Sequence, residues 1–267
     1  MTVIPRSGAM AAAAAHAATV VDQFTRQAAQ FAASPVHHNQ AALDLLVAAA
    51  RPERSDVSLD VACGPGSVVA AFARHVSHAT GLDATAAMLE EARMLSVRLG
   101  LGNVAWHRGD AYALPFVDGT FDIVSCRYAF HHMQAPARAL AEMVRVCRAG
   151  GRIVVCDALA SDEPSKAAAL NAMERYRDPS TVEFRPLASY LALFAGAGLP
   201  EPAIHRYPVP AERERLVAMA YPLGDDRVGL RAMLDAAVEG DTMGVGARRD
   251  GDTMRFEYPA AVLVAVK

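Results

Sequence analysis

The sequence predicts an α/β protein built around a mostly parallel sheet, and three observations carry that expectation. Short runs rich in valine, isoleucine and leucine alternate with segments of helical periodicity through most of the 267 residues, the signature of strands joined by helical crossovers. Seven runs read as strands, at 57–62, 78–82, 104–108, 121–125, 152–157, 203–207 and 260–266. Asp60, Asp83 and Asp110 stand at or just past the ends of the first three runs. Parallel strands with right-handed crossovers leave their ligand crevice beyond the carboxyl ends, where these acids fall.

Taken in order, the chain begins with helical periodicity from about residue 9 to 33, with Val20, Val21, Phe24, Ala28 and Phe31 sharing one face. Ser34-Pro35 stops it, and a second helix over Asn39–Ala50 precedes Arg51-Pro52. Helices are then expected at 67–74, 84–99 and 136–147 between the core strands. The segment 163–197 reads as two helices around Asp178-Pro179-Ser180, closed by Gly196 and Gly198, and is expected to roof the site. The strands at 203–207 and 260–266 are separated by a helical stretch, and Arg248–Asp252 is a hairpin turn signal. The expected organisation is a helical lid at 1–50, a ligand-binding core at 51–160, and a roof with the last strands at 161–267 completing the same domain. No internal repeat is present.

Composition narrows the function. With 53% hydrophobic and 21% charged residues the chain is long enough for one elaborated domain. A net charge of −3 lacks the basic footprint of a nucleic-acid binder, so a small-molecule substrate is expected. Cys63, Cys126, Cys147 and Cys156 show no C-x-x-C spacing, which reads as small hydrophobes in a reducing cytoplasm. The alanine-rich stretch at 9–18 is interrupted by His16 and continues into a polar helix, so it is expected to be helix rather than signal. No strongly apolar run reaches membrane-spanning length, so no membrane span is expected. A monomer or homodimer is anticipated.

The most informative stretch is VSLDVACGPG at 57–66. A buried strand ends in Asp60 and spills into a turn in which Gly64 and Gly66 let backbone approach a ligand, followed by a helix from Ser67 whose N-terminus points at it. Val69 stands where a dinucleotide fingerprint has its third glycine, and an acid precedes the turn. Such a loop suits a cofactor carrying a cation better than a pyrophosphate. Asp60–Gly66 resembles the first signature of class I S-adenosylmethionine-dependent methyltransferases, a hydrophobic strand followed by D-x-G-C-G-x-G. Ala62 replaces a common glycine there, a mild departure because alanine is small. Ala79–Asp83, Gly109–Ala111, Leu114–Val124, Cys126–Met133 and Gly150–Val155 follow in the order that family requires. Arg177–Ser180 and the lid segment Phe24–His37 are similar to the branch of ubiquinone and menaquinone biosynthesis methyltransferases, which carries a methyltransferase type 11 domain. The resemblance implies a Rossmann-like sheet of seven mostly parallel strands with helices on both faces, an N-terminal helical lid, a helical cap insertion, and S-adenosylmethionine as cofactor.

By that resemblance the cofactor set is Asp60, Ala62, Cys63, Gly64 and Gly66 in the loop, Asp83, Ala84 and Met88 after the second strand, and Asp110 and Ala111 after the third. Arg127 after the fourth strand joins them, with Phe24, Ser34 and His37 of the lid. Asp83 lies about twenty residues past the loop, where an acid takes ribose hydroxyls; it also precedes a helix and is a candidate N-cap. Met88 faces the adenine edge or packs in the core. Asp110 accepts from the adenine amino group while the Ala111 N–H serves a ring nitrogen, a plain turn acid being the alternative. Asp60 helps orient the methionyl amino group and sulfonium. Cys63 has no neighbouring histidine to activate its thiol and reads as loop packing.

Tyr128, His131 and His132 follow the fourth strand and are the catalytic candidates. Methyl transfer is an in-line displacement, which needs the acceptor held near the methyl and a base where the acceptor carries a proton. Histidine, with an ordinary pKa of about 6.5, fits; alternatively His131 caps a helix or contacts the cofactor and His132 is buried and merely hydrogen-bonded. His37 is expected against the cofactor carboxylate or substrate, and the His37-His38 pair is a poor chelate, so no metal site is expected. Arg177 or Arg185 is a candidate for an anionic substrate group, the plainer reading of Arg177–Ser180 being a helix stop and turn. The expected activity is methyl transfer to a small aromatic, heterocyclic or quinone-like metabolite. One alternative keeps the cofactor but cyclises or cleaves at the sulfonium. An NAD(P) oxidoreductase is disfavoured by Val69 and by the lack of a Tyr-x-x-x-Lys pair, and a silent binding module by the intact loop.

Overall fold

Strands that are apolar on both faces must be covered on both sides, and this requirement organises the molecule. The computed structural model describes residues 6–34, 36 and 39–267. β1 (Val57–Val61), β2 (His78–Asp83), β3 (Val104–Arg108), β4 (Phe121–Arg127) and β5 (Cys147–Ala158) pair in parallel. β6 (Ala203–Glu212) and β8 (Thr253–Val266) add antiparallel strands, in the order β3-β2-β1-β4-β5-β8-β6. Seven strands thus form the expected sheet, and β7 (Arg248–Asp250), a short arm pairing β8 before the turn at Gly251, makes an eighth. The chain moves outward from β1 through β2 to β3, then returns to lay β4 on β1's other side. That reversal opens a crevice beyond the carboxyl ends of β1 and β4.

Alternation along the strands sends side chains to opposite helical layers. Leu59, Val61, Val124, Cys126, Ile153 and Val155 face α5 (Pro136–Val146) and α7 (Leu187–Gly196). Ile123, Val154 and Cys156 face α2 (Gln40–Ala50), α3 (Ser67–Ala73) and α4 (Ala86–Arg98). α2, grouped with the lid by position in the sequence, buries Leu43, Leu46 and Val47 in this layer. Only α1 (Arg6–Ala32) crosses the crevice, turning Ala13, Ala17, Val20 and Phe24 toward it at helical spacing. A third cluster joins α6 (Pro164–Arg177), α8 (Arg213–Ala218) and α9 (Arg227–Ala237) to the outer half of β8 and forms the roof. β6 runs past Tyr207 through Pro208 and Pro210 to Glu212, which an edge strand tolerates because proline removes no ladder bond there. Those prolines hid the second half of the strand from sequence reading. Among the described residues no helix is long and apolar enough to cross a membrane.

Gly66 and Gly81 share a function set by packing. A Cβ on Gly66 would lie 2.6 Å from the Trp106 ring and 2.9 Å from Ala92 Cβ, and one on Gly81 would lie 2.6 Å from the same ring. The two glycines form the slot for the chain's single tryptophan. Gly66 also has φ +84, whereas Gly64, at φ +51, has no atom within 4 Å of its virtual Cβ. Gly66→Ala is therefore expected to cost about 2–4 kcal/mol in urea unfolding, combining left-handed strain with overpacking, and Gly64→Ala only about 1–2 kcal/mol. Equal losses at the two positions would contradict the slot.

Candidate functional site

The crevice holds a cavity of about 820 Å³, large enough for a nucleoside-sized ligand and more. Its floor is the turn after β1. Ala62, Cys63 and Gly64 line it, and Ala62 adopts φ 56, the left-handed region. The glycine common at that position is thus a matter of backbone conformation and not of size, so alanine carries strain of about 1–2 kcal/mol. The turn is held by Asp83, whose Oδ2 accepts the Gly64 N–H at 2.9 Å and whose Oδ1 accepts the Thr85 N–H at 2.8 Å. Cys63 N–H adds a bond to Leu82 O at 3.0 Å. Thr85, and not Asp83, occupies the N-cap position of α4. Burial raises the Asp83 carboxyl above its ordinary pKa despite these bonds, and burial keeps the Cys63 sulfur a thiol.

Asp83, Ala84 and Met88 line the wall after β2, and Asp110 and Ala111 the wall after β3. Met88 is 2% exposed. Asp110 spends one oxygen on the Tyr112 N–H at 2.9 Å and is otherwise exposed toward the opening. Asp60, at the centre, is buried with its Oδ1 accepting from Ser125 Oγ at 2.7 Å. Burial pushes its carboxyl up to about 7, against the pull of Ser125 and Arg127. An acid forced into an apolar crevice with so few partners is a place prepared for a cation. Phe24 covers the cavity from α1, and Arg127 lines it while donating to Val36 O at 3.1 Å.

Several predicted residues lie elsewhere. Gly66 does not line the cavity, because its open side is filled by Trp106. Ser34 lines a second cavity under the roof. His37 lies outside the described residues. His131 is turned from the first cavity into the second by Asp157, whose Oδ1 is 2.7 Å from its Nδ1, and its ring stacks on Phe184 at 4.4 Å. Arg177 donates from Nε and Nη2 to a single Glu174 oxygen, Oε2, at 2.9 and 2.7 Å, and Glu174 Oε1 accepts from Tyr258 Oη at 2.8 Å. Arg185 donates to the carbonyls of Phe130 and Met133 and braces the turn after β4. Arg185 has no fork left for an anionic substrate, and Arg177 has its Nε/Nη2 edge committed to Glu174.

That turn holds the residues expected to be catalytic. Tyr128, at φ 53, bends the chain out of β4 into a single helical turn over Phe130–His132. Its Oη meets Tyr207 Oη at 2.6 Å, and Tyr207 Oη lies 3.1 Å from Cys156 Sγ; burial pushes the Tyr128 phenol up to about 12, so it stays neutral. His132 lines both cavities. Its Nδ1 is 3.0 Å from Ser180 Oγ, which donates to Asp178 Oδ1 at 2.5 Å. With the serine proton committed to Asp178, Ser180 accepts from His132, which fixes the Nδ1–H tautomer and leaves the Nε2 lone pair free. Burial and the adjacent His131 push the imidazole down to about 3, so it is neutral in the physiological range. Asp178, although buried, is held below the usual carboxylate range by His132, Arg177 and Ser180. Asp157 was within reach of sequence reading, since it closes a strand as Asp60 and Asp83 do. Ser180 and Asp178 were visible only as a turn, and Tyr207 only as a strand end.

Residues 59–155 match the methyltransferase domain family. The chain is 28% identical over 246 residues to the uncharacterized methyltransferase YcgJ of Bacillus subtilis, covering 91% of this chain and 97% of that one. The crystal structure of YcgJ superposes with a TM-score of 0.76 over 85% of this chain and 98% of that one, at 27% identity. A ubiquinone/menaquinone biosynthesis C-methyltransferase of Roseobacter denitrificans is 38% identical over 109 residues, 40% of this chain and 44% of its own length.

The Asp60 carboxyl yields a pH prediction. Its folded pKa of about 7 lies above the unfolded value of about 3.9, so the folded state binds the extra proton between those values and stability falls as pH rises through that window. Asp60→Asn is expected to raise the melting temperature at pH 8 by about 2–4 °C for each kcal/mol relieved, with the gain vanishing below about pH 4. A gain that persists unchanged in acid, or a loss at pH 8, would contradict the origin assigned to the shift.

Proposed function

We propose that this chain, an S-adenosylmethionine-dependent methyltransferase, methylates a small aromatic, heterocyclic or quinone-like metabolite, with His132 as the residue that receives the acceptor's proton. The cavity supports the cofactor assignment on its own terms: an open glycine at the loop, an acid at the end of β2, a buried methionine beyond it, and an under-partnered acid where a cation would lie. Asp83 would take the ribose hydroxyls, Met88, Asp110 and Ala111 the adenine, and Asp60 the methionyl ammonium. Bound there, S-adenosylmethionine supplies an electrophilic methyl group on a sulfonium.

The protein's remaining tasks are orientation, exclusion of water and proton transfer. Phe24 of α1 closes over His132, ring to ring at 4.9 Å, and His16 Nε2 reaches His132 O at 2.9 Å. These contacts join the lid to the catalytic turn. The acceptor's X–H proton passes to Nε2 and on to solvent; burial and His131 disfavour the imidazolium, and the Nδ1–H, Ser180 and Asp178 chain offsets part of that penalty. Tyr128, neutral and pinned by Tyr207, is a wall of the junction and not a base. His131, held by Asp157, is a positioning residue for His132. The single observation that carries this reading is that His132 lines the cofactor cavity and the roof cavity together. The Roseobacter relative is named as a C-methyltransferase of ubiquinone and menaquinone biosynthesis, which supports an unsaturated ring as substrate.

Three outcomes test it. Incubation with S-adenosylmethionine and an acceptor panel is expected to yield S-adenosylhomocysteine; methylthioadenosine without it would establish the sulfonium-cleaving alternative. Asp83→Ala is expected to weaken S-adenosylhomocysteine about ten- to a hundredfold by calorimetry, the loss of hydrogen bonds to a charged acceptor. His132→Gln should lower kcat about a hundredfold or more and leave cofactor affinity near wild type. Unchanged kcat in that variant would remove His132 from the mechanism.

A further inference from the structure

The second cavity, about 160 Å³, shares Phe31, Tyr128 and His132 with the first and touches none of the loop residues. Its walls are largely apolar, from Phe184, Val209, Ala211, Leu216 and Met219. A cavity of about 150 Å³ with such walls accepts a benzene ring, so one six-membered ring matches this volume. The charged groups on its inner wall are Glu174, Arg177 and Asp178, two carboxylates against one guanidinium. Glu174 is paired with Arg177 and accepts from Tyr258, whereas Asp178 has the neutral Ser180 hydroxyl bonded to it. The exposed Glu212 and Arg215 at the cavity's edge have opposite signs. An anionic group brought inside would meet a net negative wall, and its desolvation would go uncompensated.

One polar group there has no hydrogen-bond partner among the described residues. It is the Oγ of Ser34, which is 2% exposed and lines the cavity. A buried hydroxyl without a partner costs about 1–3 kcal/mol, which a ligand group removes. We propose that the roof cavity is the acceptor's ring pocket: it takes a neutral, single six-membered ring that presents its nucleophilic X–H to His132 and a second hydrogen-bonding substituent to Ser34. This rests on the methyltransferase reading and narrows its substrate to one ring, neutral at its buried end. In the transfer the acceptor's electron pair forms the X–C bond and the C–S pair stays on sulfur. The X–H proton moves to His132 Nε2 and then to solvent.

The test is calorimetric titration of catechol, resorcinol and hydroquinone into the S-adenosylhomocysteine-saturated protein at neutral pH, where these phenols keep their protons. At least one is expected to bind. Leu216→Trp, which fills the pocket, should weaken it at least tenfold, and Ser34→Ala about three- to tenfold. Both variants should hold S-adenosylhomocysteine within about twofold of wild type, showing that they are folded. A naphthalenediol and salicylate should each bind at least about tenfold more weakly than the best dihydroxybenzene. Absence of binding by all three phenols, unchanged binding in both variants, or equal affinity for the fused or anionic ring would overturn the proposal. Failure of the wild-type protein to bind S-adenosylhomocysteine would instead overturn the cofactor reading.

Discussion

The Asp83 carboxylate, with one oxygen on the Gly64 amide and the other on the Thr85 amide, is the interaction from which the site is built. It ties the turn after β1 to the end of β2, sets where α4 begins, and faces the cavity between them. A buried acid bonded by backbone amides is both an anchor and an acceptor held in advance for a ligand. The strand order makes this geometry available, since only at the β1–β4 reversal do two loops part far enough to admit a ligand.

A second layer of constraint fixes the turn after β4. Tyr128 leaves β4 in a left-handed conformation, which non-glycine residues hold only where the surroundings demand it. Its N–H bond to Cys156 O at 2.7 Å and its Oη bond to Tyr207 supply that demand. Arg185 grips the carbonyls on either side of the histidines, Asp157 draws His131 inward, and Ser180 with Asp178 orients His132. Adjacent histidines thereby acquire different work: one is a brace, the other a neutral imidazole at the junction of two cavities.

Most of the architecture was legible because it follows from local pattern. The strand and helix alternation, the helix stop at Ser34, the helix beginning about Asn39 and the hairpin before β8 are each set by neighbouring residues. The loop, Asp60, Asp83, Met88 and Asp110 were legible for the same reason, as strand ends in a fixed order. The role of Gly66 was misread, because the object it avoids is Trp106, forty residues away in sequence, and not a ligand. His131 and His132 are indistinguishable as neighbours in a string; only Asp157 and Ser180, brought from β5 and the roof, separate them. Arg177 and Arg185 looked available for a substrate until Glu174 and the carbonyls of Phe130 and Met133 were in place. What escaped the sequence is long-range partnership, which pattern does not encode.

The most direct measurement is a crystal structure with S-adenosylhomocysteine bound. The account places the ribose hydroxyls within hydrogen-bond distance of the Asp83 carboxylate, adenine between Met88 and the Ala111 amide, and the sulfur opening toward His132 and the roof cavity. A nucleoside lodged away from Asp83, or a sulfur directed away from His132, would contradict it.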